Sequence, residues 1–237
     1  MNGRRKLQYS DPVTDLPEST PTPARPGPVI RALTAVATLM LIGGVFLVVA
    51  SLDHRNALRS RQIDVPTSGR PMLGSGNEPH TVVIYSDFRC PACATFHAEQ
   101  LPALQAGAQG KANVVFVNRV LFGEPSVRAA VAAECAYRAG GVPAYQSAAE
   151  QLYAEARTHT RDATAWLEPA ALRALVGVGD MNDFSACQAD PAVSAQIRAE
   201  SDRIARQGGA TTPGVLVGGR TVSPPTADRI LAALNRL

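Results

Sequence analysis

The sequence predicts an α/β fold in the order strand–helix–strand, a block of helices, then strand–strand–helix. Three observations carry that reading. Val82-Val83-Ile84-Tyr85 is an unbroken apolar run, as in a strand covered on both faces. A second run, Asn113–Asn118, follows after a helical pattern, so the two make a βαβ unit with parallel strands and a right-handed crossover. Near the end, Val215-Leu216-Val217 and Arg220-Thr221-Val222 flank Gly218-Gly219, the signature of a tight hairpin.

The chain of 237 residues is 46% hydrophobic and 18% charged, enough apolar side chain for a sizeable core. A net charge of +3, without a basic stripe interleaved with aromatics, argues against nucleic-acid binding. Residues 1–31 hold six prolines among Ser, Thr and Asp and read as a disordered cytoplasmic tail. Ala32 to Leu52 are 21 residues without a charge, long enough to cross a hydrocarbon core as a signal-anchor. A signal peptide cleaved after Ala50 competes, but the apolar stretch is longer than a typical signal core and the tail before it is long. Residues 53–72 read as a linker, and Arg70 to Gly76 are rich in turn formers. The folded part is expected to be residues 73–237, on the extracytoplasmic side and monomeric.

Within that part, Thr81–Ser86 is the first strand. A helix from Pro91 to about Gln105 follows, with Pro91 in a tolerated first-turn position and Pro102 a source of a kink or an early stop. The helical block spans 124–207. Ser126 is expected to cap its first helix, Gly140-Gly141 to stop it and Pro143 to open the next. Glu168–Val176 makes a third helix, ended by Gly177 and Gly179. A short one holds Cys187 with Asp183 as its cap. Asp190-Pro191 starts a long one that Gly208-Gly209 ends. Ser223-Pro224-Pro225 starts the last helix, which runs to Leu237.

The chemistry gathers at Cys90-Pro91-Ala92-Cys93, at the start of the helix after the first strand. A sulfur there faces unpaired backbone N–H groups and the positive end of the helix dipole, and both favour thiolate over thiol. Cys93 lies one turn on, within disulfide reach. Such a pair can form a mixed disulfide with another protein and resolve it.

These residues, with Tyr85-Ser86-Asp87-Phe88-Arg89 before them and Thr211-Thr212-Pro213-Gly214-Val215 near the end, resemble the DsbA-like branch of the thioredoxin superfamily. The resemblance covers roughly Leu73 to Leu237. It implies a thioredoxin fold interrupted by a helical insertion, with Cys90 attacking and Cys93 resolving. It makes Pro213 the cis-proline beside the disulfide and Thr212 the residue whose backbone pairs with a bound peptide, next to Pro91 and Ala92. It also implies an activity that introduces disulfides into secreted proteins, reoxidised by a quinone-linked membrane oxidase. A reductase or isomerase fed by a membrane electron donor, or a non-catalytic binding module, are the alternatives. Two positions depart from the pattern: no histidine lies between the cysteines, and Ile84 stands where relatives often bury a carboxylate. Asp87 is read as a residue that orders the loop.

Cys135 and Cys187 are expected to form a structural disulfide in the helical block, two buried free thiols being the alternative. One close cysteine pair and two distant singles do not make a zinc site, and no metal or cofactor is expected. His97 is expected on a solvent-facing helix position and Trp166 inside the helical block. Phe88 and Phe96 are read either as an apolar rim or as core. A Cys–His hydrolase has no histidine clearly placed beside Cys90.

Overall fold

The computed structural model describes residues 27–60, 62–159, 162–177 and 181–237. The tail expected over residues 1–31 lies outside that set as far as residue 26, as does Gly179. Helix α1 spans Pro28–Ser60 and so starts inside the expected tail, with Pro28 where a first-turn proline fits. It contains the uncharged stretch 32–52. Among the described residues, no helix is long and apolar enough to cross a membrane.

The remaining part carries a five-stranded sheet in the order β1-β3-β2-β4-β5. β1 is Met72–Leu73, β2 His80–Ser86, β3 Ala112–Asn118, β4 Gly214–Val217 and β5 Arg220–Val222. β2 and β3 are parallel, His80 opposite Ala112 and Ser86 opposite Asn118. β4 returns antiparallel to β2, Tyr85 opposite Gly214 and Val82 opposite Val217. The unbroken apolar runs are explained by cover on both faces. Val82, Ile84, Val114 and Phe116 enter the main core, whereas Val83, Tyr85, Val115 and Val117 enter a second one with Ile204 and Leu216. The two sets alternate along each strand, as the period of two requires.

The expected linker over 53–72 is not a linker throughout. Ile63 and Val65 are buried on the second face of the sheet. The Ile63 amide donates to the Gly219 carbonyl at 2.8 Å, and Gln207 grips both the amide and the carbonyl of Asp64 at 2.6 and 2.8 Å. Met72 and Leu73 then extend the sheet beside β3. Burying two aliphatic side chains at about 2 kcal/mol each favours docking over a free tether. Few apolar residues separated by polar ones leave no periodic signal, which is why the sequence reads as linker.

The helix expected over 91–105 is two helices, α2 (Pro91–Glu99) and α3 (Leu101–Ala108), joined at Gln100. Pro102 lacks the N–H that would continue the ladder, so the break falls just before it. The helical insertion starts with α4 (Glu124–Thr158), which is broken where Gly140 and Gly141 leave helical geometry, Gly141 at φ +66°. Gly123 occupies its N-cap, and Ser126 turns inward instead of capping. A 3₁₀ turn (Ala165–Leu167) leads to α5 (Pro169–Val176), closed by Gly177 in the left-handed region. α6 (Met181–Ala189) has Asp183 inside its first turn. α7 (Pro191–Arg206) is capped by Asp190, whose carboxylate accepts the Ala192 amide at 2.8 Å. The last helix, α8, is Ala227–Leu234, shorter at both ends than expected, with Thr226 at its N-cap. Cys135 in α4 and Cys187 in α6 are joined by a disulfide with Cα atoms 5.7 Å apart. It ties two helices of the insertion across a separation of 52 residues.

Candidate active site

Two strands that meet at one end of the sheet, β2 and β4, build the site. β2 ends at Ser86, and four residues later Cys90 sits at the N-cap of α2 in an extended conformation. Its carbonyl accepts the amides of Cys93 and Ala94 at 3.0 and 3.1 Å, the first turn of the helix. Its own amide donates to the Asp87 carbonyl at 3.0 Å. Pro91 at the first helical position removes an N–H that would have had no acceptor. From the other side comes the Thr212–Pro213 bond, which is cis, immediately before β4. Its chain reversal places the Thr212 carbonyl 3.6 Å from the Cys90 sulfur. Residues 122 apart in sequence thereby share one site.

Cys90 and Cys93 are both free thiols and differ in setting. Cys90 is 8% exposed and Cys93 fully buried. The Cys93 thiol donates to the Cys90 sulfur and, with the amides of Cys93 and Ala92, lowers the Cys90 pKa to about 5 against an opposing effect of burial. Burial pushes the Cys93 thiol well up, and the hydrogen bond it gives to Cys90 adds to that. One sulfur is therefore a thiolate at neutral pH and its neighbour holds its proton. That division suits thiol–disulfide exchange: the thiolate, whose residue keeps some exposure, is both nucleophile and good leaving group, and the fully buried thiol closes the ring.

Asp87 orders the loop, as expected of it. It is 1% exposed. One carboxylate oxygen accepts the Arg89 amide at 2.8 Å and the Ser126 hydroxyl at 3.0 Å, and the other accepts the Leu121 amide at 2.6 Å. Burial raises its pKa, and the same hydrogen bonds oppose the rise. It ties the cysteine loop to the start of the helical insertion.

His97 is not solvent-facing. Its ring lies 4.5 Å from that of Tyr153 and 5.8 Å from that of Phe116, and burial lowers its pKa to about 4. It is a neutral aromatic at the pH of ordinary work. Phe88 and Phe96 are both buried, and the Phe88 ring lies tilted against that of Tyr153, centroids 4.9 Å apart. Both are core. Trp166 is half-buried, with its ring 5.6 Å from that of His159.

Sequence reasoning missed three supporting side chains. Tyr153, from the second half of α4, is buried next to Cys93 and packs under the cysteine loop. Arg119, after β3, donates to the Gly209 carbonyl at 3.0 Å and the Ser201 hydroxyl at 2.9 Å, bracing the segment ahead of the cis bond. The Tyr85 ring fills the space over Gly209 and Gly214. Nothing in their spacing marks them, because each reaches its partner through the tertiary fold. Among the described residues, no cluster of His, Cys, Asp or Glu could hold a metal ion.

A family model described as Thioredoxin matches residues 67–236. Disulfide bond formation protein D of Bacillus subtilis is 38% identical over 68 residues, 28% of this chain and 31% of that protein, so the match spans under a third of its length. The probable disulfide bond formation protein D of Bacillus anthracis is 25% identical over 200 residues, 78% of this chain and 90% of that one. Among solved structures, oxidised BdbD from Bacillus subtilis superposes with a TM-score of 0.63 at 21% identity, covering 74% of this chain and 96% of that one. DsbA of Chlamydia trachomatis gives 0.61 at 20% identity, covering 73% and 92%. At such identities the structures speak for the fold.

Proposed function

The chain belongs to the thioredoxin family, on its DsbA-like branch, and is a thiol–disulfide oxidoreductase; on that premise we propose that it introduces disulfides into secreted proteins from an extracytoplasmic, membrane-anchored position. The observation that carries the oxidising direction is the Cys90 sulfur at the start of α2, its pKa lowered to about 5. A stabilised thiolate favours the reduced pair, which makes the Cys90–Cys93 disulfide a stronger oxidant.

The exchange runs in two displacements. A substrate thiolate attacks the Cys90 sulfur of the enzyme disulfide, forming a Cys90–substrate bond and releasing Cys93, which takes up a proton. A second substrate thiolate then attacks the substrate sulfur of that mixed disulfide. Cys90 leaves as a thiolate, the substrate holds the new disulfide, and two electrons remain on the enzyme pair. Thr212 offers its backbone to the extended substrate beside Pro213, with Pro91 and Ala92 on the other lip. A quinone-linked membrane oxidase returns the pair to the disulfide, and the protein works as a monomer.

Anchoring is supported by the uncharged stretch 32–52, with the N-terminus on the cytoplasmic side. The Cys135–Cys187 disulfide suits an oxidising compartment outside the cytoplasm.

The reduction potential of the Cys90–Cys93 pair, equilibrated with glutathione, tests the direction. A value between about −120 and −180 mV fits a disulfide donor. A value near roughly −270 mV would reassign the protein as a reductase fed by a membrane electron donor. A Cys93→Ala variant that traps several partners as mixed disulfides fits an enzyme; one stoichiometric partner indifferent to thiols would make it a binding module.

A further inference from the structure

An open cleft of about 590 Å³ runs beside β5 and α8, from Arg220, which pairs with Val217, to Ser223, just past Val222, which pairs with Val215. Arg220, Arg229 and Arg236 line it, and all three are exposed. None takes part in the ion pairs found among the described residues. Three guanidinium groups around one concavity repel each other unless an anion joins them, and planar guanidinium groups suit phosphate oxygens.

The chain path says what that anion is. The segment leading from α1 enters the domain at the Arg220 end of the cleft, the pole of the sheet opposite Cys90: the Ile63 amide donates to the Gly219 carbonyl at 2.8 Å and the Gln62 side chain to the Gly218 carbonyl at 3.3 Å. Gly218 also faces Leu237, next to Arg236. Only about ten residues separate Leu52 from Gln62, at most roughly 35 Å however they are arranged. In sequence they carry Arg55, Arg59 and Arg61 against a single acid, Asp53.

We propose that the Arg220, Arg229 and Arg236 cleft is a docking surface for the phosphate headgroups of anionic lipids, and that it seats the domain on the bilayer with Cys90 pointing away. The orientation follows from β4 running antiparallel to β2. The Gly218-Gly219 turn lies at the His80 end of β2, whereas Cys90 follows the Ser86 end, six residues on. At about 3.3 Å per residue the strand alone separates the two poles by roughly 20 Å. Docked in this way, the site faces substrates emerging into the compartment, and the domain must tip to meet a membrane oxidase. The inference rests on the anchored reading.

Full-length protein reconstituted in vesicles of phosphatidylcholine, with or without phosphatidylglycerol, tests it by amide hydrogen exchange. Each arginine near an anionic surface adds enough attraction that three favour the docked state by on the order of 100-fold. Exchange over 218–236 is therefore expected to slow at least about tenfold when phosphatidylglycerol is present, to recover in high salt, and to lose the difference in an R220E/R229E/R236E variant. That variant's exchange in the main core and its thiol chemistry with a small disulfide should be unchanged. Labelling of Cys90 by a soluble thiol reagent should be equally fast in both vesicles; slower labelling with phosphatidylglycerol would overturn the orientation. Equal exchange in both vesicles overturns the docking. Equal protection by inorganic phosphate in neutral detergent would make the cleft a free-anion site, and protection by soluble polyglutamate alone would make it a site for an acidic protein; either overturns the lipid. Release of the full chain by an alkaline carbonate wash marks failure of the anchor itself, separately from the cleft.

Discussion

The Cys90 sulfur lies 3.6 Å from the Thr212 carbonyl, so the thiol at a helix start and the backbone ahead of a strand act as one site. The helix start supplies donors that favour a thiolate. The segment just before β4 supplies the Thr212 carbonyl beside it.

The Cys90 thiolate should titrate with a midpoint of about 5 in the reduced protein, read from thiolate absorbance against pH. Because the leading cause is the Cys93 thiol, Cys93→Ala should raise the midpoint. The sign for stability follows from linkage. A depressed thiol pKa stabilises the reduced fold fully above about pH 9, the unfolded value, and that contribution is lost as pH falls through about 5. A midpoint near 8 to 9 in the native reduced protein would remove the argument for an oxidising pair.

Gly214 follows the cis bond, and a Cβ there would fall 1.9 Å from Tyr85 Cζ. Gly214→Ala should therefore displace the Tyr85 ring and with it the strand that presents Thr212. We expect a loss of about 1–3 kcal/mol in urea unfolding, together with slower mixed-disulfide formation. Unchanged stability and rate would mean that the ring moves freely.

Closing a loop of 52 residues, the Cys135–Cys187 disulfide should stabilise the native state by about 4 kcal/mol in the chain-entropy account. The paired Cys135→Ala, Cys187→Ala variant should melt at a markedly lower temperature in calorimetry. Its Cys90 titration should not move, since the bridge lies within the insertion. A shifted titration would show that the bridge also sets the geometry under Cys93.

Glu200 is buried beside Arg70, 2.8 Å away, and Asn118, yet burial outweighs the arginine and raises its pKa to about 7; Glu134 adds to the rise. A carboxyl raised in the folded state contributes stability below its unfolded value of 4.5, and loses it as pH rises through about 7. The loss amounts to roughly 3 kcal/mol. Glu200→Gln should flatten that slope in urea unfolding from about pH 4 to about pH 8. Parallel slopes for the two proteins would assign the titration elsewhere.

Local signals determined much of this protein. Apolar runs with glycine punctuation mark β2, β3 and the β4–β5 hairpin, because a strand covered on both faces needs no polar alternation. Cys90, Pro91 and Cys93 declare a thiolate at a helix start, since the donors that stabilise it come from the same turn. What the tertiary structure alone decided is every relationship set by distant segments. Ile63 and Val65 look like linker until the sheet gives them a face, and Tyr153 looks like any helix residue until α4 passes under the cysteine loop. His97 reads as exposed because its helix presents two faces, and only packing against Phe116 and Tyr153 selects the inner one. A side chain's burial depends on what arrives from elsewhere in the chain, and no local pattern records that arrival.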